Sequence, residues 1–280
     1  MPLSTDTTSA TNVAETTRRL FVRLFPQASD RTIQRLFMVA DRFFTGQHPE
    51  YQAVDVKYHD YRHTLQVTVC ATDVLAAHLA TPEAKPVITA RHFEQCVAAT
   101  LFHDMGYLKG RADHAGTGAK YTYCHVLRSC ALAASHLPGC GFNLDEIDSV
   151  LGAIRRTSPA PAASAPRFRN TEEHFIACVV ASSDYLAQMA ASDYPDELGL
   201  LFDEFSESDD YVGTPREYRI FKSAADLAAR TPKFWSKIVQ PKLEKDFGGV
   251  CHILDAPDGT NDYLDAIEQN VALIVERTAG

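Results

Sequence analysis

The chain has 280 residues, of which 45% are hydrophobic, and its formal net charge at pH 7 is −9. This length and apolar content support a sizeable core in one large or two small domains. The negative charge argues against a protein that coats a nucleic-acid polymer, because such a protein needs a basic surface to neutralise phosphates. It does not exclude a small phosphate ester held in a locally basic pocket.

Helical periodicity recurs along the chain and strand-like alternation is nearly absent, so the pattern predicts an all-α protein. Residues 1–14, rich in Ser, Thr and Ala, are predicted to form a flexible N-terminal segment, and residues 15–280 a single all-α domain. The predicted helices cover, in chain order, residues 15–25, 30–45, 61–80, 90–104, 124–137, 144–156, 171–191, 195–207, 215–230, 232–246 and 259–277. The pattern assigns no role to residues 195–280.

Two irregular segments separate the predicted helices. Residues 106–118 are rich in glycine, and we expect this stretch to be a mobile loop that becomes ordered over a bound phosphate. Residues 158–166 are rich in Pro and Ala and are predicted to be a mobile or extended connection rather than a domain boundary.

The sequence favours a cytoplasmic protein without membrane contact. Its first residues have neither the basic nor the apolar region of a secretory signal, and no apolar run approaches the length of a membrane span. The seven cysteines include no Cys-x-x-Cys pair, and their odd number and helical placement predict buried free thiols in a reducing compartment.

Four ionisable residues lie on apolar helical faces. His103 and Asp104 are adjacent at the end of an apolar run, and burial of both is costly unless each has a partner, for which a divalent metal is suited. His63 and Asp184 lie on the apolar faces of two other predicted helices. The four residues could bind one metal together. The alternative is that they are four unrelated polar residues, each paired separately in the core.

The order His63, His103–Asp104, Asp184 resembles the HD superfamily of metal-dependent phosphohydrolases, which build a metal site from residues in this order. The segment Tyr58–His63 also resembles the Tyr-His-Asn-x-x-His opening of cyclic-nucleotide phosphodiesterases. The resemblance is strongest over residues 58–190. It implies a single HD-type helical domain in which the four residues bind one or two divalent ions (Mn, Mg, Fe or Zn), with Asp104 as a bridge if there are two.

The activity implied by the resemblance is hydrolysis of a phosphate ester, with a nucleotide or cyclic-nucleotide phosphodiester preferred. In such a reaction a metal-bound hydroxide attacks phosphorus, so Asp104 has a catalytic role as well as a ligand role. His59, one helical turn before His63, matches the histidine that protonates the leaving oxygen in the phosphodiesterases. The alternative for His59 is a surface histidine in a turn.

His125 comes 21 residues after Asp104, near the position of another histidine in HD proteins that coordinate two metals fully. The match is incomplete, because the predicted helix over residues 144–156 contains no second histidine. We predict that His125 lines the substrate site, and leave open whether it binds a second metal or has a capping or supporting role.

Candidate substrate contacts are the basic residues nearest the proposed ligands and one glutamine. Lys120 and Arg128 are predicted to bind phosphate oxygens, Lys120 from the end of the glycine-rich loop. Gln188, one turn after Asp184, is predicted to reach the pocket. Arg155 and Arg156 are also close in sequence, although most helical charges are simply solvated.

Two other functions stay open at this point. A di-iron oxygenase of the HD fold needs more histidine ligands than the sequence offers. A non-catalytic nucleotide sensor is disfavoured because the ligand set is complete. The expected partner is a small-molecule phosphate ester, with no membrane and no nucleic-acid polymer, and the sequence leaves the oligomeric state open.

Overall fold

Ten α-helices account for the fold over the residues that the structure describes. The structure is a computed structural model, and it describes residues 5–158 and 167–279. The helices are α1 Ala10–Leu24, α2 Arg31–Phe44, α3 Tyr61–Ala80, α4 Ala90–Phe102, α5 His125–His136, α6 Leu144–Arg156, α7 Thr171–Ala190, α8 Tyr194–Val212, α9 Ala224–Phe234 and α10 Asp262–Thr278. No β-strand occurs within these residues, so the predicted all-α class is confirmed. The predicted connection over 158–166 lies, after its first residue, outside the described residues.

Side-chain caps set the start of the three helices that later form the site. Asp60 accepts a hydrogen bond from the backbone N–H of His63, and α3 begins directly after Asp60. Thr89 and His92 form a reciprocal capping box at the start of α4. Asn170 caps α7 in the same way as Asp60 caps α3. Each cap supplies an acceptor for an N–H group that has no partner inside its helix.

The predicted flexible segment 1–14 is wrong for residues 10–14. Helix α1 begins at Ala10, because the Ser9 side chain accepts a hydrogen bond from the backbone N–H of Asn12. Val13 is completely buried in the core. The Ser- and Thr-rich segment therefore supplies the cap of a helix.

The core consists mainly of two hydrophobic clusters, and α3 and α7 contribute to both. The first cluster joins side chains of α1–α7, and the second joins α7–α10 to Val67 and Cys70 of α3. On α7, Val180 belongs to the first cluster and Leu186 to the second. Asp184 lies between these two positions, so α7 carries the predicted ligand where the clusters meet.

The prediction of a helix over residues 215–230 is wrong for its first turns. Arg216–Tyr218 forms a short 3₁₀ turn, and α9 begins only at Ala224. Ser223 fixes this start, because its side chain accepts a hydrogen bond from the backbone N–H of Asp226.

The chain beyond α9 departs from regular α-helix. Pro232 lies inside α9 and has no backbone N–H, so the usual bond to the preceding turn is lost there. The backbone then winds as π-helix over Trp235–Val239 and Lys242–Asp246. Such segments are rare and are frequently found at functional sites.

Within the described part of the chain, no single helix has both the length and the apolar content to cross a membrane. Of the helices described, only α7 and α8 taken together meet that test, and these two helices are bent by 115° at their junction.

Candidate metal centre

The three helices α3, α4 and α7 bring the predicted ligands together. His63, His103 and Asp184 each offer one ligand atom, and these atoms all lie within 4.8 Å of one another. The Nε2 atoms of His63 and His103 are 3.4 Å apart, and Asp184 Oδ1 is 3.2 Å from the Nε2 of His63. Residues separated by more than a hundred positions in the chain thus face one small volume.

Asp104 completes this group from the position next to His103. Its Oδ2 lies 3.3 Å from the Nε2 of His63 and 3.2 Å from the Nε2 of His103. The side chain is buried, and Oδ2 nevertheless has no hydrogen-bond partner among the described residues. A buried carboxylate oxygen in this state is costly unless a proton or a cation neutralises it.

The orientation of His103 suits a metal ligand. Its Nδ1 lies 2.7 Å from the backbone carbonyl of Thr100, to which it donates a hydrogen bond. In the neutral ring the Nε2 lone pair then points toward Asp104 and Asp184. A carbonyl that fixes the outer nitrogen of a ligating histidine is the usual arrangement in metal sites.

The charges of the group lead to the same expectation. Burial opposes a charge on His63, but Asp104 and Asp184 outweigh it and raise the pKa of His63 to about 9. Burial also opposes a charge on His103, and the same carboxylates raise its pKa well above its ordinary value. The two carboxylates therefore attract positive charge, which protons or a divalent ion can supply. Imidazole nitrogens together with carboxylate oxygens suit Fe, Mn or Zn.

His125 lies beside the second oxygen of Asp104. Its Nε2 is 3.5 Å from Asp104 Oδ1, and its Nδ1 is 2.6 Å from the carbonyl of Thr122. Burial lowers the pKa of His125, which favours the neutral ring. His125 therefore lines the site and presents a lone pair toward Asp104. Coordination of a second metal stays a prediction.

His59 is held by a residue that the sequence analysis missed. Its Nδ1 is 2.6 Å from Oε2 of Glu204, a buried residue of α8. The other oxygen of Glu204 accepts a hydrogen bond from the backbone N–H of Tyr58. Tyr107 stacks on the His59 ring at a centroid distance of 4.8 Å and on the His125 ring at 4.6 Å. His59 is thus fixed, with Nε2 as its remaining nitrogen.

A cavity of about 1030 Å³ opens onto this group, and its lining includes His59, Asp104, His125 and Asp184. Gln188 also lines the cavity, and its predicted contact with the substrate stays a prediction. Two of the predicted ligands, Asp104 and Asp184, therefore face an accessible cavity, whereas His63 and His103 are buried and are not among the residues that line it.

Much of the cavity wall comes from residues 195–280, for which the sequence offered no role. Apolar side chains of α8 and α9 form part of it, and four basic residues lie on it, namely Arg155, Arg230, Lys233 and Lys237. The available signal was the helical spacing of Leu227, Arg230, Thr231 and Phe234, which places these side chains on one face.

The structure does not bring Lys120 to the cavity. Its Nζ lies 2.5 Å from Oδ1 of Asp113 and 2.5 Å from the carbonyl of Ala115, and the side chain is buried. The predicted phosphate contact is corrected accordingly, because a buried ammonium group with these partners is already neutralised inside its own loop.

Arg128 also lies away from the cavity lining. Its guanidinium group donates hydrogen bonds to the carbonyls of Gly106 and Leu108, and it stacks 3.6 Å from the ring centre of Tyr121. The predicted contact of Arg128 with the substrate is therefore corrected. Arg128 instead holds in place the backbone that follows Asp104.

Residues 106–118, expected to form a mobile lid, make several contacts with the rest of the protein, and their ordering over a bound phosphate stays a prediction. The N–H of Gly106 donates to Ser129, and the N–H of Gly118 donates to Asp55. Lys109 pairs with Asp55 at 2.9 Å and donates to the carbonyl of Gly116. Two of the glycines serve close packing, because a Cβ on Gly106 would lie 1.9 Å from the carbonyl oxygen of His125, and one on Gly118 would lie 2.0 Å from that of Tyr107.

A scan of the chain against protein-family models found no match. A search of the curated proteins also found none.

Proposed function

We propose that this protein is a metal-dependent hydrolase of a phosphate ester, of the HD type that its sequence resembles. The observation that carries the proposal is the grouping of His63, His103, Asp104 and Asp184 at a large cavity. Asp104 Oδ2 faces two imidazole nitrogens, and a divalent cation bound among them would satisfy all three atoms.

A divalent ion held by these four residues would supply Lewis acidity toward a phosphoryl oxygen and toward water. The other residues of the site have separate tasks. His59 rests with Nδ1 on Glu204, so its Nε2 is the nitrogen that donates a proton to the leaving oxygen. Glu204 and Tyr107 fix the plane of this ring, and such fixed positioning is a large part of catalysis.

The basic side chains of the cavity support an anionic substrate in a protein of net charge −9. Arg155, Arg230, Lys233 and Lys237 all lie on its wall. Guanidinium and ammonium groups attract phosphate and raise its local concentration. These four residues take the role that the sequence analysis gave to Lys120 and Arg128.

The oxygenase and sensor alternatives have weaker support. Among the described residues, His63, His103 and His125 are the histidines in contact with Asp104, which is a small set for a di-iron oxygenase. A sensor would not need the Glu204 contact that fixes His59 for proton transfer.

The test begins with metal analysis of protein purified without chelators. The protein is then assayed against aryl phosphates, nucleotides and cyclic nucleotides, before and after metal removal and restoration. Asp184→Asn should lose metal and activity, whereas Asp148→Asn, at an exposed position on α6, should keep both. Hydrolysis that survives complete metal removal, or none by the fully loaded protein, would reject the proposal.

A further inference from the structure

Several large apolar side chains are exposed where the cavity meets the surface. Each of them both lines the cavity and is open to solvent, so together they form what we call the apolar mouth: Tyr123, Leu127, Ile220, Phe234 and Ile238. Contiguous exposed apolar surface is unusual in a folded protein and marks binding sites.

The apolar character continues inward along α8 and α9. Leu201 and Phe205 of α8 and Leu227 of α9 also line the cavity, and they are less exposed than the side chains of the apolar mouth. From Leu227 to Ile238 the wall follows one helical path of eleven residue steps, or roughly 16 Å at about 1.5 Å per residue. Part of this path is the π-helix Trp235–Val239, which carries Ile238.

The apolar area of this wall is larger than a phosphate or a sugar requires for binding. Polar groups bound against an apolar wall leave their hydrogen bonds unmet, whereas an apolar group there gains the full benefit of burial. The chemistry of the cavity therefore changes from the two carboxylates and histidines of the metal centre to a wall on which apolar side chains alternate with Arg230, Lys233 and Lys237.

We infer that the substrate is an amphipathic phosphate ester that carries an extended apolar group, such as an alkyl or acyl chain. Its phosphate lies at the metal centre, and its apolar chain follows α8 and α9 to the apolar mouth. This inference rests on the proposed function for the placement of the phosphate, and on Leu127, Phe205 and Phe234 for the nature of the chain.

Equilibrium binding of butyl, octyl and dodecyl phosphonate to the metal-loaded protein tests the inference without need of turnover. Affinity should rise roughly three- to fourfold for each added methylene, or roughly 80- to 250-fold from butyl to octyl, as expected for burial of CH₂ groups. Leu127→Ser should weaken dodecyl binding several-fold. Leu144→Ser is the matched control, because Leu144 is 84% exposed, compared with 68% for Leu127, and lies away from the cavity lining.

The outcomes separate this inference from the proposed function. Equal affinity across the series, while p-nitrophenyl phosphate is still hydrolysed, would overturn the amphipathic substrate and leave the hydrolase. Steep dependence on chain length without hydrolysis of any alkyl phosphate ester would support the ligand class and reject the hydrolase. Tighter binding of a mononucleotide than of octyl phosphonate would overturn the inference.

Discussion

Asp104 makes contacts with three histidines through its two oxygens. Oδ2 faces His63 and His103, and Oδ1 faces His125 at 3.5 Å. Burial opposes the charged carboxylate, yet the neighbouring His103 and His63 hold the pKa of Asp104 well below its usual range. The side chain therefore stays charged at neutral pH and can attract a cation.

We expect His103→Ala and Asp104→Ala each to lose bound metal and hydrolytic activity while the helical fold persists. Removal of a ligand should weaken metal binding by more than the roughly 10–100-fold typical of an outer partner. Metal content by elemental analysis and helicity by circular dichroism check this result.

The control for these variants is His78→Gln, in another buried histidine of α3. The His78 Nε2 lies 2.8 Å from the carbonyl of Pro86, and a glutamine amide can keep this hydrogen bond. This variant should retain full metal content. Full metal content in His103→Ala or Asp104→Ala as well would contradict the assignment of the ligands.

His59→Ala should keep the metal and slow the hydrolysis of esters with poor leaving groups. A general acid contributes about 10²–10⁴-fold, and this contribution shrinks for p-nitrophenyl esters, whose leaving oxygen scarcely needs a proton. The measurement compares kcat/KM for alkyl and p-nitrophenyl esters at equal metal occupancy. The same loss on both substrates would make His59 a binding residue.

Glu204→Gln tests whether Glu204 acts through His59. Like His59→Ala, it should lower kcat/KM more for esters with poor leaving groups than for p-nitrophenyl esters. The loss of kcat/KM should be smaller, because the His59 ring remains and only its partner at Nδ1 changes. In the double variant the two losses should not add, as expected for residues that work together. Additive losses would separate Glu204 from the role of His59.

At the scale of helices and loops, the sequence predicts features that depend on neighbouring residues. It does not predict contacts between residues that are far apart in the chain. His63, His103, Asp104 and Asp184 could be predicted because a polar residue on an apolar helical face is visible in a short window. Glu204 could not, because it lies 145 positions from His59 and resembles any exposed helical glutamate. Similarly, nothing local distinguishes the buried Lys120, paired with Asp113, from a lysine free to bind phosphate.

The loop after Asp104 provides a prediction about close packing. Gly106→Ala should destabilise the protein by roughly 1–3 kcal/mol or more, because the added methyl group would overlap the carbonyl of His125. Gly139→Ala should be nearly neutral, because a Cβ there meets nothing within 4 Å. Urea denaturation measures both variants. Equal stability of the two variants would mean that the backbone near Gly106 shifts easily to accommodate a methyl group.

At the scale of the whole molecule, Asp73 couples stability to pH where α3 meets α10. Burial raises the pKa of Asp73 to about 7, although a hydrogen bond with Tyr263 lowers it in part. In the unfolded chain this carboxyl has its ordinary pKa of 3.8. Between these two values the folded state holds a proton that the unfolded state has lost, so stability falls as pH rises.

Asp73→Asn removes this titration. Its free energy of unfolding relative to the natural protein should increase from pH 4 to pH 7 and level off above, reaching at most about 4 kcal/mol at about 1.36 kcal/mol per pKa unit. Chemical denaturation across this range checks it. The exposed Asp148→Asn serves as the control, and a flat difference for Asp73→Asn would contradict the buried, protonated carboxyl.

Helix α9 and its π-helical continuation carry part of the cavity wall and none of the four proposed ligands, which all precede residue 190. Under the proposed function, this part of the chain would contact the substrate without contributing a metal ligand. A library confined to Phe234, Lys237 and Ile238 would reshape what enters the cavity without disturbing the chemical machinery. Under the proposed function, the scaffold would be a practical starting point for engineering substrate specificity.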